Sequence, residues 1–120
     1  YHYLPPSREV ETEETVLNAI INELKARNLP FHSGKTWTTD APYRETPAKI
    51  SKRRAEGCLT VEMECAAMLA VAKFRQVLFG QILYGGDDLS GHDWDNRDWQ
   101  KKETVREKLF WLCADICLKT

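Results

Sequence analysis

The chain has 120 residues, 42% of them hydrophobic and 29% charged, with seventeen basic against eighteen acidic residues and a formal charge of −1. That length fits one small domain or part of a larger one, and this balance argues against a disordered chain. No surplus of positive charge exists to neutralise a nucleic-acid backbone, and runs such as Val77-Leu78-Phe79-Gly80 are far too short to cross a bilayer, so neither nucleic acid nor a membrane is expected as a partner.

The chain opens at Tyr1 rather than at a methionine, which points to a processed product or a piece of a longer protein. No basic start followed by an apolar stretch marks a secretory signal, and a cytoplasmic location is expected. Ser7 and Thr12 are candidate caps ahead of a helix from about Glu13 to Asn28. Its apolar residues Val16, Leu17, Ile20, Ile21 and Leu24 recur at three- and four-residue spacing, which makes one buried stripe. Glu11, Glu13 and Glu14 suit the positive end of the helix dipole, and Asn28-Leu29-Pro30 ends the helix.

From Phe31 to Thr39 the alternation and the β-forming residues predict a strand, followed by a loop over Asp40 to Glu45. Thr46 before Pro47 is an N-cap with proline at the first helical position, so a helix is expected from there to Glu56, closed by Gly57. Cys58 to Val61 reads as a short apolar strand. Cys65 to Ala72 is alanine-rich and apolar nearly all round, which predicts a buried helix. Gln76 to Tyr84 has the continuous apolar character of a strand covered on both faces, ended by Gly85-Gly86. A polar loop over Asp87 to His92 and a last helix from about Trp99 to Leu118 complete the pattern, the helix carrying Val105, Leu109, Leu112, Cys113 and Ile116 on one face. Alternating helices and strands favour an α/β fold with helices layered on a sheet, as one domain over residues 1–120.

Cys58, Cys65, Cys113 and Cys117 contain no Cys-x-x-Cys pair, and the favoured reading is reduced, buried thiols. A zinc site would have to recruit His2, His32 or His92, and no ligand spacing supports one, so no metal is expected. Lys52-Arg53-Arg54 reads as a solvated helix face. Trp94 and Trp99 fit either a partner surface or packing of the last helix.

Two segments are unusual for a plain α/β domain. Val61-Glu62-Met63-Glu64-Cys65-Ala66-Ala67 puts two carboxylates at the entrance of an apolar helix, where charge is costly unless paired or open to a cleft. Acids that merely favour a helix N-terminus are the alternative. Gly85-Gly86-Asp87-Asp88 follows the apolar run, at the end of a strand where α/β sheets bind ligands, although glycine and aspartate also make ordinary turns.

Together these segments resemble the family-one nucleoside phosphorylases, which include purine and uridine phosphorylases, over most of the chain from the Trp37 strand to the last helix. The resemblance implies the C-terminal half of a three-layer helix/sheet/helix fold with a mixed sheet. It also implies phosphorolysis of the N-glycosidic bond of a purine or uridine nucleoside, with inorganic phosphate as co-substrate and no cofactor. A water-using nucleosidase and a non-catalytic nucleoside-binding or oligomerising remnant are the rivals.

By that resemblance Glu64 binds the ribose hydroxyls, Met63 packs on the sugar, and Glu62 is a neighbouring wall or orienting group. Asp87 is the acid that protonates the departing base, with Arg97 as its helper, and Asp40 to Tyr43 is the base-stacking segment. Pro42 stands where an aromatic residue usually stacks, Tyr43 is retained, Arg44 is the arginine nearest to a uracil-reading position, and Gly86 replaces a serine. A general acid must hold its proton near neutral pH, so Asp87 would need a raised pKa, to which Asp88 would contribute. The family's phosphate-binding glycines and arginines have no counterpart here. The expected partners are therefore nucleoside, phosphate, and either copies of the chain in a homo-oligomer or the missing N-terminal half.

Overall fold

The structure, a computed structural model, describes residues 2–85 and 103–120. It divides into two compact units, Tyr1–Gly80 and Gln81–Thr120. In the first unit, α1 (Glu14–Ala26), β1 (Lys35–Thr38), a 3-10 turn (Pro42–Arg44), α2 (Pro47–Ala55), β2 (Cys58–Glu62) and α3 (Cys65–Arg75) follow one another. The second contains α4 (Glu103–Lys119). The described residues thus form an α/β arrangement of four α-helices and a two-stranded parallel sheet.

Helix α1 forms where the periodicity placed it and buries Val16, Ile20 and Leu24, one residue per turn. Leu17 is exposed, so the buried stripe is narrower than expected. Neither candidate cap serves this helix. Ser7 closes a local turn with the backbone of Glu9, and the N-cap residue is Glu13, whose side chain makes no capping bond. At the other end Asn28 takes the left-handed conformation at φ 53°. There the amide of Leu29 donates to the Leu24 carbonyl and that of Asn28 to the Lys25 carbonyl, a Schellman closure. Gln76 at φ 55° closes α3 in the same way through the carbonyls of Ala72 and Lys73.

The expected Phe31–Thr39 strand is only Lys35–Thr38, the stretch that pairs with Cys58–Glu62 of β2. The two pair in parallel, as a crossover through α2 allows. The register slips after Lys35↔Cys58, skipping Leu59, and then runs Thr36↔Thr60, Trp37↔Val61, Thr38↔Glu62. Helix α2 starts as the sequence predicts, with the Thr46 hydroxyl accepting from the Lys49 amide and Pro47 in the first turn. Of its basic cluster only Lys52 and Arg54 are exposed. Arg53 is half-buried, with its guanidinium 5.5 Å from the Trp37 ring centre and 2.7 Å from Glu56. Glu56 also accepts from Arg8 at 2.6 Å, and Lys35 pairs with Glu9 at 2.8 Å, so two ion pairs hold the N-terminal segment to the rest of its unit.

Two apolar segments differ from expectation. Helix α3 buries only Cys65, Leu69 and Ala72 and leaves Met68 and Phe74 exposed, although Tyr3 meets the Phe74 ring edge to face at 5.3 Å. The run Gln76–Tyr84 is not a strand, because its backbone meets no hydrogen-bonding neighbour strand among the described residues. Val77, Leu78 and Leu83 are exposed. Its middle passes close to α1: a Cβ built on Gly80 would lie 2.5 Å from Val16 and 2.7 Å from Ile20, which explains the glycine. In α4, Leu112 and Ile116 are buried, Leu109 and Cys113 half-buried, and Val105 exposed. All four cysteines are free thiols, but only Cys65 is buried and Cys117 is exposed. No described helix is long and apolar enough to cross a membrane.

Candidate functional site

Parallel strands leave their carboxyl ends on one side of a sheet, and here both ends carry chemistry. Strand β1 ends at Thr38 and runs into the Asp40–Glu45 loop, while β2 ends at Glu62 and runs into Met63, Glu64 and α3. The last rung pairs Thr38 with Glu62. The segment expected to touch the sugar and the segment expected to face the base therefore leave the same edge.

Glu62 and Glu64, two residues apart, have opposite roles. The first turn of a helix presents amides with no intrahelical acceptor. Glu62 answers two of them: its Oε2 accepts from the amides of Glu64 at 2.8 Å and Cys65 at 2.6 Å. Its Oε1 accepts from the Thr38 hydroxyl at 2.5 Å, and that hydroxyl oxygen itself accepts from the Ala66 amide at 3.1 Å. Both carboxylate oxygens of Glu62 are thus committed to the fold. A charge at the positive end of α3 is favourable as well as hydrogen-bonded.

Glu64 is the N-cap residue of α3, yet its side chain makes no cap bond to the helix. Its Oε2 accepts from the Met63 amide at 3.2 Å, its Oε1 has no hydrogen-bond partner among the described residues, and the residue is exposed. Met63 is exposed beside it. An exposed carboxylate with one oxygen unpartnered among the described residues, next to an adaptable thioether, is suited to gripping a vicinal diol. Cys65, next in the chain, is buried, and burial, helped by the charge of Glu62, pushes its thiol above the usual range.

In the loop after β1, buried Ala41 and Thr39 anchor the 3-10 turn, the Thr39 hydroxyl donating to the Ala41 carbonyl at 3.3 Å. Pro42, Tyr43 and Arg44 lie on its outside, with Tyr43 87% exposed, so its ring face is open to stacking. Arg44 pairs with Asp40. Hydrogen bonding with its own backbone amide, reinforced by Arg44 and opposed by burial, holds the Asp40 carboxyl below its usual range.

The structure thus brings Glu62, Met63, Glu64 and the Pro42–Arg44 turn to one edge of the sheet, whereas Asp87 and Arg97 lie outside the described residues, as do Gly86, Asp88, His92, Trp94 and Trp99. Among the described residues no group of three or more His, Cys, Asp or Glu side chains could hold a metal ion. Thr38, which no local pattern singles out, joins this edge through its bond to Glu62. The available signal was a hydroxyl at the carboxyl end of a strand, in the run Thr36-Trp37-Thr38-Thr39, but nothing local tells which of these hydroxyls meets the Glu62 carboxylate.

The sequence profile of the Phosphorylase superfamily matches residues 1–112, and the chain belongs to that superfamily. A 57-residue stretch is 35% identical to a purine nucleoside phosphorylase, DeoD-type, of Hahella chejuensis (strain KCTC 2396), covering 48% of this chain and 24% of that relative. The match thus spans about a quarter of the relative's length.

Proposed function

We propose that this chain supplies the nucleoside-binding half of a nucleoside phosphorylase, cleaving the N-glycosidic bond of a purine or uridine nucleoside to free base and ribose 1-phosphate. The observation that carries the proposal is the division of labour at the start of α3. Glu62 satisfies the helix amides, which leaves Glu64 exposed with an oxygen to spare at the carboxyl edge of the sheet. In this reading Glu64 grips the ribose hydroxyls, Met63 lies against the sugar, Glu62 orients them, and Tyr43, Pro42 and Arg44 face the base.

The chemistry requires this placement. Breaking the glycosidic bond makes the sugar electron-poor, and a carboxylate fixed on its hydroxyls both orients the ring and favours the positive charge. The leaving base accumulates negative charge and departs more easily when protonated, the task assigned to Asp87 with Arg97 as its helper. Inorganic phosphate is the nucleophile, and no other cofactor is required. Its binding groups belong to the remainder of a longer chain or to a partner subunit, within a three-layer fold whose sheet is mixed.

The test is release of base from inosine, adenosine or uridine with and without phosphate, alongside equilibrium binding of the same nucleosides. Phosphate-dependent release by the complete protein, and binding weakened about ten- to a hundredfold by Glu64→Ala, are expected for loss of a charged hydrogen bond. Release independent of phosphate would identify a nucleosidase, and binding without any turnover a non-catalytic remnant. Undiminished binding by Glu64→Ala would remove the assignment.

A further inference from the structure

We infer that Thr38 is a positioning residue for nucleoside recognition, because its hydroxyl ties the Glu62 carboxylate to the first turn of α3 and so fixes the attitude of Glu64. The inference rests on the role proposed above for Glu64 and adds a residue from a different strand, 24 positions earlier in the chain.

The geometry has three links. Thr38 and Glu62 face one another on the last rung of the parallel ladder, so the backbone register brings the hydroxyl to the carboxylate. The hydroxyl donates its proton to Glu62 Oε1 and accepts the Ala66 amide, joining β1 to β2 and to α3 through one atom. Glu62 Oε2 in turn holds the amides of Glu64 and Cys65, the first of which belongs to the sugar-binding residue itself. The side chain of Glu64 has only the Met63 amide as a hydrogen-bond partner among the described residues. Where its carboxylate can reach is therefore governed by the position of its backbone, and its backbone is held by Glu62. A carboxylate that must meet two hydroxyls at once loses affinity when its backbone loosens, because both bonds require one orientation.

Thr38→Val preserves the β-branched shape and strand preference while removing the hydroxyl. It leaves the Ala66 amide without its acceptor and Glu62 Oε1 without its donor. The first measurement needs no ligand: hydrogen exchange at the Glu64 and Cys65 amides, which bond to Glu62 and not to Thr38, is expected to accelerate in Thr38→Val and to return in Thr38→Ser. Unchanged exchange at those two amides would mean that Thr38 does not hold Glu62, and the inference would fall.

The second measurement compares binding of inosine, adenosine or uridine with that of the matching 2′-deoxynucleoside. The ribonucleoside should lose about tenfold in affinity in Thr38→Val, the 2′-deoxy compound about threefold or less because it makes one hydroxyl contact fewer, and Thr38→Ser should stay near the unaltered protein. Equal losses for both sugars would reveal a general structural role and overturn the inference, even if Glu64 is the sugar ligand. If the unaltered protein bound no ribonucleoside, the role of Glu64 and this inference would both fail. Faster exchange at the two amides would then still show that the tether exists as a helix cap alone.

Discussion

Thr38 and Glu62 meet at the carboxyl end of the parallel ladder, where the hydroxyl of one donates to the carboxylate of the other at 2.5 Å. Through this contact an acidic residue at the end of β2 becomes the cap of the next helix instead of a solvent-facing charge. Glu64, two residues on, is released from that duty.

The two glutamates should therefore separate cleanly in a mutational comparison. Glu62→Ala strips acceptors from the Glu64 and Cys65 amides, and a loss of about 1–2 kcal/mol in denaturant unfolding is expected, in the range of a lost helix cap. Glu64→Ala, exposed and without a cap bond to the helix, should stay within about 0.5 kcal/mol of the parent. A larger stability loss for Glu64→Ala than for Glu62→Ala would reverse the roles given to them.

Close approach of the 77–80 segment to α1 has its own signature. Gly80→Ala must displace Val16 and Ile20, both buried, and overpacking of this kind costs about 1–3 kcal/mol. The double variant Gly80→Ala with Ile20→Val makes room at one of the two clashes and should recover part of the loss. Thermal unfolding of the three proteins checks this, and an unchanged midpoint in Gly80→Ala would contradict the packing.

Acid stability should report on Glu56. The Arg53 guanidinium lowers its carboxyl below the ordinary value of 4.5, with Arg8 and Lys52 adding and burial opposing. Because the folded value is depressed, the contribution to stability is fully present above the unfolded value and disappears as pH falls through the folded one. Unfolding measured from pH 6 downward should show stability declining below about pH 4.5, with a shallower decline in Arg53→Gln. Identical acid limbs in the two proteins would show that the pair contributes nothing.

Thiol labelling orders the cysteines by access. Cys117 is exposed and should react first with an aromatic disulfide reagent. Cys65 is buried and its thiol is raised by burial, so it should react last in the native protein and at a rate comparable to the others only after unfolding. Early labelling of Cys65 would mean that the start of α3 opens readily.

Much of the architecture is legible in the amino-acid order. The spacing of Val16, Ile20 and Leu24, the Thr46-Pro47 start of α2, Gly57 at φ 87°, and the strand-to-helix passage at Val61–Ala67 all act through neighbours a few residues apart. Such signals set backbone conformation within one element, and there the structure agrees with them. The segment Gln76–Tyr84 departs because an apolar composition does not make a strand until a second strand offers hydrogen bonds. Arg53 departs for a related reason, since Trp37 and Glu56 draw it from the solvated face to a half-buried place.

The order of residues alone puts two glutamates at the entrance of an apolar helix and a turn with Pro42, Tyr43 and Arg44 after the preceding strand. Which glutamate serves the fold and which stays exposed emerges only on folding. That choice depends on the register between two strands and on a hydroxyl 24 residues away from the carboxylate it holds. Local periodicity carries no information about such a contact, because it exists only after the strands have paired.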